Sequence, residues 1–334
     1  MISLPDLKDW LPFRIDWKTS GPQVDWCRFG AEGLTEPFFE DSVARVMRKP
    51  FNVLFRHQTS METLDSWVHI SPGIPPSGFV FHMSRCGSTL VCQMLAALDS
   101  TVVISEAPPI DELLRIAKLK GVSEQQRIHW VRGVISALGQ PRAGGETRFF
   151  VKFDNWHALD LALVRSAFPE VPWIFVFRDP VEVMVSIKNS PAPHSYPGMM
   201  KLGVPELDQA QAGLVKMEDH CSNVLSHLCR AALDQLNHSR AGGIAVNYTE
   251  LPHAVCIRIA NHFRIEFTPA EIETMMAKTT RHAKSPVGDF QADSQAKQET
   301  ATSEVREAAM RVMPLYEKLC AMAGTPHMVG AFSV

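Results

Sequence analysis

The stretch that most limits what this chain can fold into runs from Phe79 to Glu106, FVFHMSRCGSTLVCQMLAALDSTVVISE. Phe79, Val80 and Phe81 form a short apolar run of β-formers, introduced by the turn residues Pro75, Pro76 and Gly78. A polar turn follows, Ser84-Arg85-Cys86-Gly87-Ser88-Thr89, after which Leu90, Val91, Met94, Leu95 and Leu98 recur at helical spacing. Val102, Val103 and Ile104 make a second short strand. Strand, tight turn and helix in this order aim the first backbone N–H groups of the helix into the turn. Unpaired donors at the positive end of a helix dipole suit an anion such as phosphate. Gly87 leaves room where a side chain would obstruct the anion, Ser88 and Thr89 add hydroxyls, and Arg85 adds a permanent charge with a planar fork of donors. The pattern is not GxxxxGK[ST], because Ser88 follows Gly87 directly and the cation precedes the glycine. A strand-to-helix turn with a merely solvated arginine is the alternative reading.

The same alternation continues downstream. Arg148 to Phe153 reads as a strand, His157 to Phe168 as a helix, and Trp173 to Phe177 as the apolar run expected of a central parallel strand covered on both faces. Arg178-Asp179-Pro180 ends that strand and opens a helix with Pro180 or Val181 in its first turn. Ile244 to Asn247 is a last strand. Helices are expected over Pro109–Lys120, Glu124–Leu138, Leu207–Leu236, His253–His262, Pro269–Lys278 and Glu304–Met322, with Leu214, Met217, Cys221, Val224, Leu225 and Leu228 on one face of the longest. Pro191 to Met200 reads as a loop and Ser285 to Ser303 as a polar loop or lid. The expected fold class is therefore α/β, a parallel sheet with right-handed crossovers flanked by helices. In such sheets ligands bind off the carboxyl ends of the strands. That puts Ser84 to Thr89, Glu106, Lys152 to Asp154, Arg178, and Asn247 with Tyr248 along one edge.

Residues 1–72 read as folded but irregular. Trp10, Phe13, Trp17, Trp26 and Phe29 crowd aromatic surface between Pro5, Pro12 and Pro22, which suggests an extension packed on a main domain of residues 73–334. A role in covering substrate is the sharper option, and Phe38 to Met47 is expected to be a short helix. A hydrophobic fraction of 46% and a charged fraction of 21% exclude a disordered or fibrous chain, and a net charge of −3 gives no global case for nucleic acid or anionic membrane. Seven scattered cysteines without a C-x-x-C pair suggest reduced thiols and a cytoplasmic location. Asp6, Lys8 and Asp9 interrupt any signal-like core, and no apolar run reaches the roughly 18–20 residues that span a bilayer. Oligomeric state is left open.

Two motifs carry a family resemblance. Ser84-Arg85-Cys86-Gly87-Ser88-Thr89-Leu90 resembles the P-R-S-G-T-T-L loop of sulfotransferases that use 3′-phosphoadenosine 5′-phosphosulfate (PAPS). Arg178-Asp179-Pro180-Val181-Glu182-Val183-Met184-Val185-Ser186 resembles that family's second motif, an Arg and a Ser eight positions apart at a strand-to-helix turn. The likeness covers about residues 78 to 320. It implies a P-loop-type sheet in which Arg85, Cys86, Gly87, Ser88, Thr89 and Leu90 hold the 5′-phosphosulfate, and Arg178 and Ser186 hold the 3′-phosphate. It further implies Tyr248 at the adenine, Lys284 and Ser285 as late cofactor contacts, and Glu106, Arg85 and Lys152 as catalytic residues with Glu106 the general base. Asp154 stands where the cytosolic branch of the family has its catalytic histidine. The product nucleotide would be 3′,5′-ADP, and the acceptor a small molecule or peptide bearing a hydroxyl or amine.

The chemistry asks for these residue types. Sulfuryl transfer resembles phosphoryl transfer, an in-line displacement through a loose transition state governed by positioning and charge. Arg85 and Lys152 would meet charge developing on the leaving oxygen, and a carboxylate in a partly dehydrated cleft can take the acceptor's proton. The low charge of sulfate removes the need for a metal. Blander readings stand beside these: Glu106 as a cap of the helix near Pro109, Asp154 as an N-cap, and Arg178 with Asp179 as a structural ion pair. A small-molecule kinase and a non-catalytic nucleotide-binding protein are the rival functions.

Overall fold

The computed structural model of the chain describes residues 6–238, 242–280 and 293–324. The described residues form two sheets. The smaller, near the amino end, is antiparallel and orders β1 (Trp10–Lys18), β2 (Gly21–Arg28) and β3 (His57–Ser60) side by side. The larger contains β4 (Gly78–His82), β5 (Thr101–Ser105), β6 (Arg148–Lys152), β7 (Trp173–Phe177) and β8 (Gly243–Asn247). Its order is β5-β6-β4-β7-β8, and every pairing is parallel. The fold is α/β, a five-stranded parallel sheet flanked by helices, as the alternating pattern predicts.

The central strands are apolar because both of their faces are covered. All five residues of β4 and all five of β7 are buried. Phe81 stacks on Phe153 with ring centroids 4.4 Å apart, and Phe79 meets the edge of the same ring at 5.3 Å. The chain leaves β4 toward β5 on one side, but enters β7 and continues to β8 on the other. Adjacent strands whose connections diverge leave a crevice at their carboxyl ends. Here that crevice opens between the turn after β4 and the turn after β7.

The structure corrects several expectations. Residues 6–72 are not irregular, since they hold β1 to β3 and the helices Phe39–Met47, Pro50–Leu54 and Met61–Ile70. Prolines concealed the strands, yet each is placed at an edge, a shift in register or a strand start, where proline is tolerated. Pro12 lies on an edge strand at a register shift, opposite Trp26, and Pro22 lies near the start of β2, opposite Trp17 and before the Gln23–Trp26 segment that pairs with β3. The expected helix over Leu207–Leu236 is two pieces, Pro205–Asp208 and Met217–His238. Gly213 adopts φ +84° between them, and Leu214 is 78% exposed instead of lining a core face. The closing helix likewise divides into Ser303–Met310 and Met313–Ala323. Within the expected Ser285–Ser303 loop, Ser294–Thr300 is a helix. Among the described residues no helix is long and apolar enough to cross a membrane.

Candidate active site

The turn after β4 departs from ordinary backbone at three of its residues. Ser84, Arg85 and Gly87 take φ of +95°, +49° and +88°. Left-handed backbone at Ser84 and Arg85 costs on the order of 1–3 kcal/mol per residue, and such strain concentrates where a ligand is gripped. Gly87 is the N-cap of helix Ser88–Leu95, and a Cβ there would come within 2.7 Å of Leu251 Cδ1 and 2.9 Å of Tyr248 Cδ2. The backbone N–H groups of Arg85, Cys86, Gly87 and Thr89 meet no acceptor among the described residues. The result is a nest of donors at a helix N-terminus. Cys86 contributes only its backbone, because its thiol is fully buried and donates to the Val176 carbonyl at 3.1 Å, and burial pushes its pKa up.

Arg85, Cys86, Gly87, Ser88, Thr89, Leu90, Glu106, Lys152, Arg178, Ser186 and Tyr248 all line one cleft of about 470 Å³. Eleven of the expected site residues thus share one space, although the two turns that supply Arg85 and Arg178 lie about 90 residues apart in sequence. Lys284 and Ser285 lie outside the described residues. Asn247, which the sheet edge was expected to present, turns its side chain inward, accepting from Thr249 N–H at 3.1 Å and donating to Tyr316 Oη at 3.4 Å.

Lys152, at the end of β6, is 1% exposed. It pairs with Oε1 of Glu106, donates to Thr89 Oγ1 at 3.4 Å and stands 5.1 Å from the ring centre of Phe38. Glu106 follows β5 with φ +55°, and its N–H donates to the Lys152 carbonyl at 2.8 Å. Burial alone would raise its carboxyl, but Lys152 and His82 outweigh burial and hold it well below the usual carboxylate range. The tautomer of His82 follows from its partners. Ser84 N–H donates to Nδ1 at 3.2 Å, so the proton is on Nε2, 3.1 Å from the Phe153 carbonyl and 3.4 Å from Glu106 Oε1. Glu106 stands one residue before Ala107, the N-cap of helix Pro108–Asp111.

Arg85 donates to the Ser190 carbonyl at the end of helix Pro180–Asn189, tying the first turn to the second. Burial lowers its pKa against the opposing pull of Glu106. Arg178 lies over the Tyr248 ring at 3.9 Å. Asp179 is not its partner, because that carboxylate caps the helix by accepting from Val181 and Glu182 N–H. Arg178 instead reaches Glu182 at 2.6 Å, Asp293 at 2.7 Å and Ser294 Oγ at 3.1 Å. Asp293 also pairs with Lys297 at 2.6 Å, and Lys297 lines the cleft. The guanidinium is therefore already met by carboxylates, one of them carried by a segment whose polarity reads in sequence only as loop.

Asp154 is the N-cap of a short 3-10 turn, Asn155–Asp160, 3.6 Å from His157 Nδ1. Burial pushes its carboxyl up to about 7, against the pull of His157. His157 is held behind it by Asp111 at 2.9 Å, and Asp111 also accepts from Trp156 Nε1 at 2.7 Å. Sequence reasoning missed Phe38, Trp156, His194, Asp293 and Lys297, all of which line the cleft. Only Phe38 had a signal, in the suggestion that the amino-terminal extension covers substrate.

No family model matches the chain, and no curated protein matches it. Among solved structures, a sulfotransferase from Mycobacterium avium is similar at 11% identity over 79% of this chain and 82% of that one, with a TM-score of 0.49. A sulfotransferase from Mycobacterium tuberculosis is similar at 13% identity over 75% and 81%, with a TM-score of 0.43. The sulfotransferase domain of the Synechococcus olefin synthase is similar at 15% identity over 72% and 96%, with a TM-score of 0.41.

Proposed function

We propose that this chain is a sulfotransferase that moves a sulfuryl group from PAPS to a hydroxyl or amine. The observation that carries the reading is the meeting of two remote strand-to-helix turns, with Arg85 and Arg178, on one cleft. The residues suit a doubly anionic adenine nucleotide. The glycine cradle and bare N–H groups after β4 fit a 5′-phosphosulfate; Arg178 and Ser186 fit a 3′-phosphate once Asp293 gives way; the Tyr248 ring offers a flat face. When bound, PAPS supplies the sulfuryl group and leaves as 3′,5′-ADP.

The remaining work falls to side chains of the chain itself. Arg85 and Lys152 hold positive charge in a site partly closed to water, where a fixed charge acts more strongly than in solvent. Thr89 and Phe38 keep the Lys152 ammonium in place. Glu106 is ionised and is the base of this reading, although its pairing with Lys152 lowers its basicity until that ammonium turns to the leaving oxygen. His82, fixed as the Nε2–H tautomer, orients that carboxylate.

Thermal shift with 3′,5′-ADP in the absence of metal, and with ATP plus magnesium, tests the reading. Stabilisation by 3′,5′-ADP alone is expected. Stabilisation by ATP with magnesium alone would indicate a kinase and overturn it. Glu106→Gln should then leave 3′,5′-ADP binding intact while abolishing transfer of labelled sulfate to acceptors in a cell extract. Unchanged turnover would remove Glu106 as the base.

A further inference from the structure

His194 sits in the loop after helix Pro180–Asn189, with its ring 5.6 Å from that of Trp156. The side chain is 6% exposed, and among the described residues neither ring nitrogen has a partner. Its surroundings hold it there: Ser195 N–H bonds the Ala192 carbonyl at 2.8 Å, and Cys221 Sγ lies 3.5 Å from the Ser195 carbonyl. A buried polar group without a partner is costly and rare in folded proteins. Nδ2 of Asn155 is in the same condition. Both residues line the cleft, as do the rings of Trp156 and Phe38. The Trp156 N–H is already given to Asp111, so what remains of that side chain is a flat apolar surface.

We propose that His194 and Asn155 recognise the acceptor, and that the acceptor is an uncharged hydroxyl compound with a flat apolar body. This rests on the sulfotransferase reading above and narrows its acceptor class. A neutral imidazole offers one N–H and one lone pair, whereas an amide nitrogen offers only donors. A hydroxyl meets both as donors: its oxygen has two lone pairs for the Asn155 and His194 N–H groups, which leaves its hydrogen free for Glu106. An ammonium can only donate, so it would leave Asn155 bare and would sit in a cleft that already holds Arg85 and Lys152. Burial, reinforced by the Arg85 charge, pushes His194 down to about 4, so the ring is neutral at physiological pH. The nearby carboxylates do not favour a cation either, since Glu106 is matched by Lys152 and Asp154 is pushed up to about 7.

Calorimetric titration of the protein saturated with 3′,5′-ADP separates the possibilities, using 2-naphthalenemethanol, 2-(aminomethyl)naphthalene and cyclohexylmethanol. The flat alcohol should bind at least tenfold more tightly than the flat ammonium or the alcohol without a flat ring. His194→Phe should weaken the flat alcohol about tenfold, while leaving 3′,5′-ADP affinity unchanged and the melting temperature of the free protein no lower. His194→Gln should recover part of the loss. If His194→Phe does not fold, Asn155→Ala carries the same test, and the tenfold preference for alcohol over ammonium should shrink. Overturning results are no binding of 2-naphthalenemethanol by the wild type, equal or tighter binding of the amine, or unchanged alcohol affinity in both folded variants. A wild type that does not bind 3′,5′-ADP would instead remove the sulfotransferase reading, and this inference with it.

Discussion

Replacing Asp293 with alanine should make the protein bind 3′,5′-ADP more tightly. In the free protein its carboxylate takes Arg178 Nη2 at 2.7 Å and the Lys297 ammonium at 2.6 Å, so it holds two cations that a nucleotide phosphate would need. A hydrogen bond to a charged group contributes about 1.5–3 kcal/mol when well shielded. The Asp293 side chain is 47% exposed, however, and exposed ion pairs contribute about 0–1 kcal/mol after screening. The competition is therefore worth about 1 kcal/mol, and since 1.4 kcal/mol is tenfold in affinity, the expected gain is about fivefold. Glu182, 2.6 Å from Arg178 Nε, keeps the guanidinium in position in the variant. Calorimetric titration of wild type and Asp293→Ala with 3′,5′-ADP at matched salt measures the difference directly. Equal or weaker binding by the variant would show that Asp293 does not compete with the nucleotide, and would remove Arg178 as its phosphate contact.

Arg85→Ala should lower the rate of sulfuryl transfer by about 100- to 1000-fold, the usual cost of removing one preorganised donor, in single-turnover assays at saturating PAPS. Gly87→Ala should destabilise the fold by about 2–4 kcal/mol and weaken 3′,5′-ADP by more than tenfold, because φ +88° disfavours any Cβ and the added methyl meets Leu251 and Tyr248. Denaturant titration reads the first effect and calorimetry the second. Asp154→Asn should alter the pH dependence of stability. The folded state holds the Asp154 proton up to about 7, whereas an unfolded aspartate releases it near 3.9, so this group costs stability as pH rises through that window. Relative to wild type, the variant should therefore gain in melting temperature between pH 4 and pH 7.5; a constant difference would refute the assignment.

What the sequence revealed and what it hid divide along physical lines. Strands β4 and β7 were legible because burial on both faces demands unbroken apolar residues, and the turns after them because an anion-binding backbone needs Gly87 with polar neighbours. The sheet edge followed from topology alone, which is why Arg85, Glu106, Lys152, Arg178 and Tyr248 could be assembled from distant segments. The amino-terminal strands were not legible, because Pro12 and Pro22 usually argue against a ladder and the register shift that accommodates Pro12 leaves no local signature. The break before Met217 was missed since Leu214 keeps the helical spacing, while only the three-dimensional packing leaves it in solvent. Asp293, Lys297 and His194 were invisible for a simpler reason. Their segments carry no apolar period, and what they touch depends on contacts more than 100 residues away for Asp293 with Arg178 and 38 residues away for His194 with Trp156.

Phe38 belongs to the amino-terminal part of the chain, yet its ring lies over the ammonium of Lys152, a residue of the parallel sheet. The small sheet is fastened on its other flank, where Trp17 Nε1 donates to Glu112 at 2.6 Å. A shortened protein begun at Pro72 would retain Arg85, Lys152, Arg178, Lys297 and the whole glycine turn, and would still lose the ring that lies against the innermost of those charges. Grafting a different amino-terminal segment onto this sheet would accordingly change the surroundings of Lys152, since Phe38 reaches the cleft from that segment.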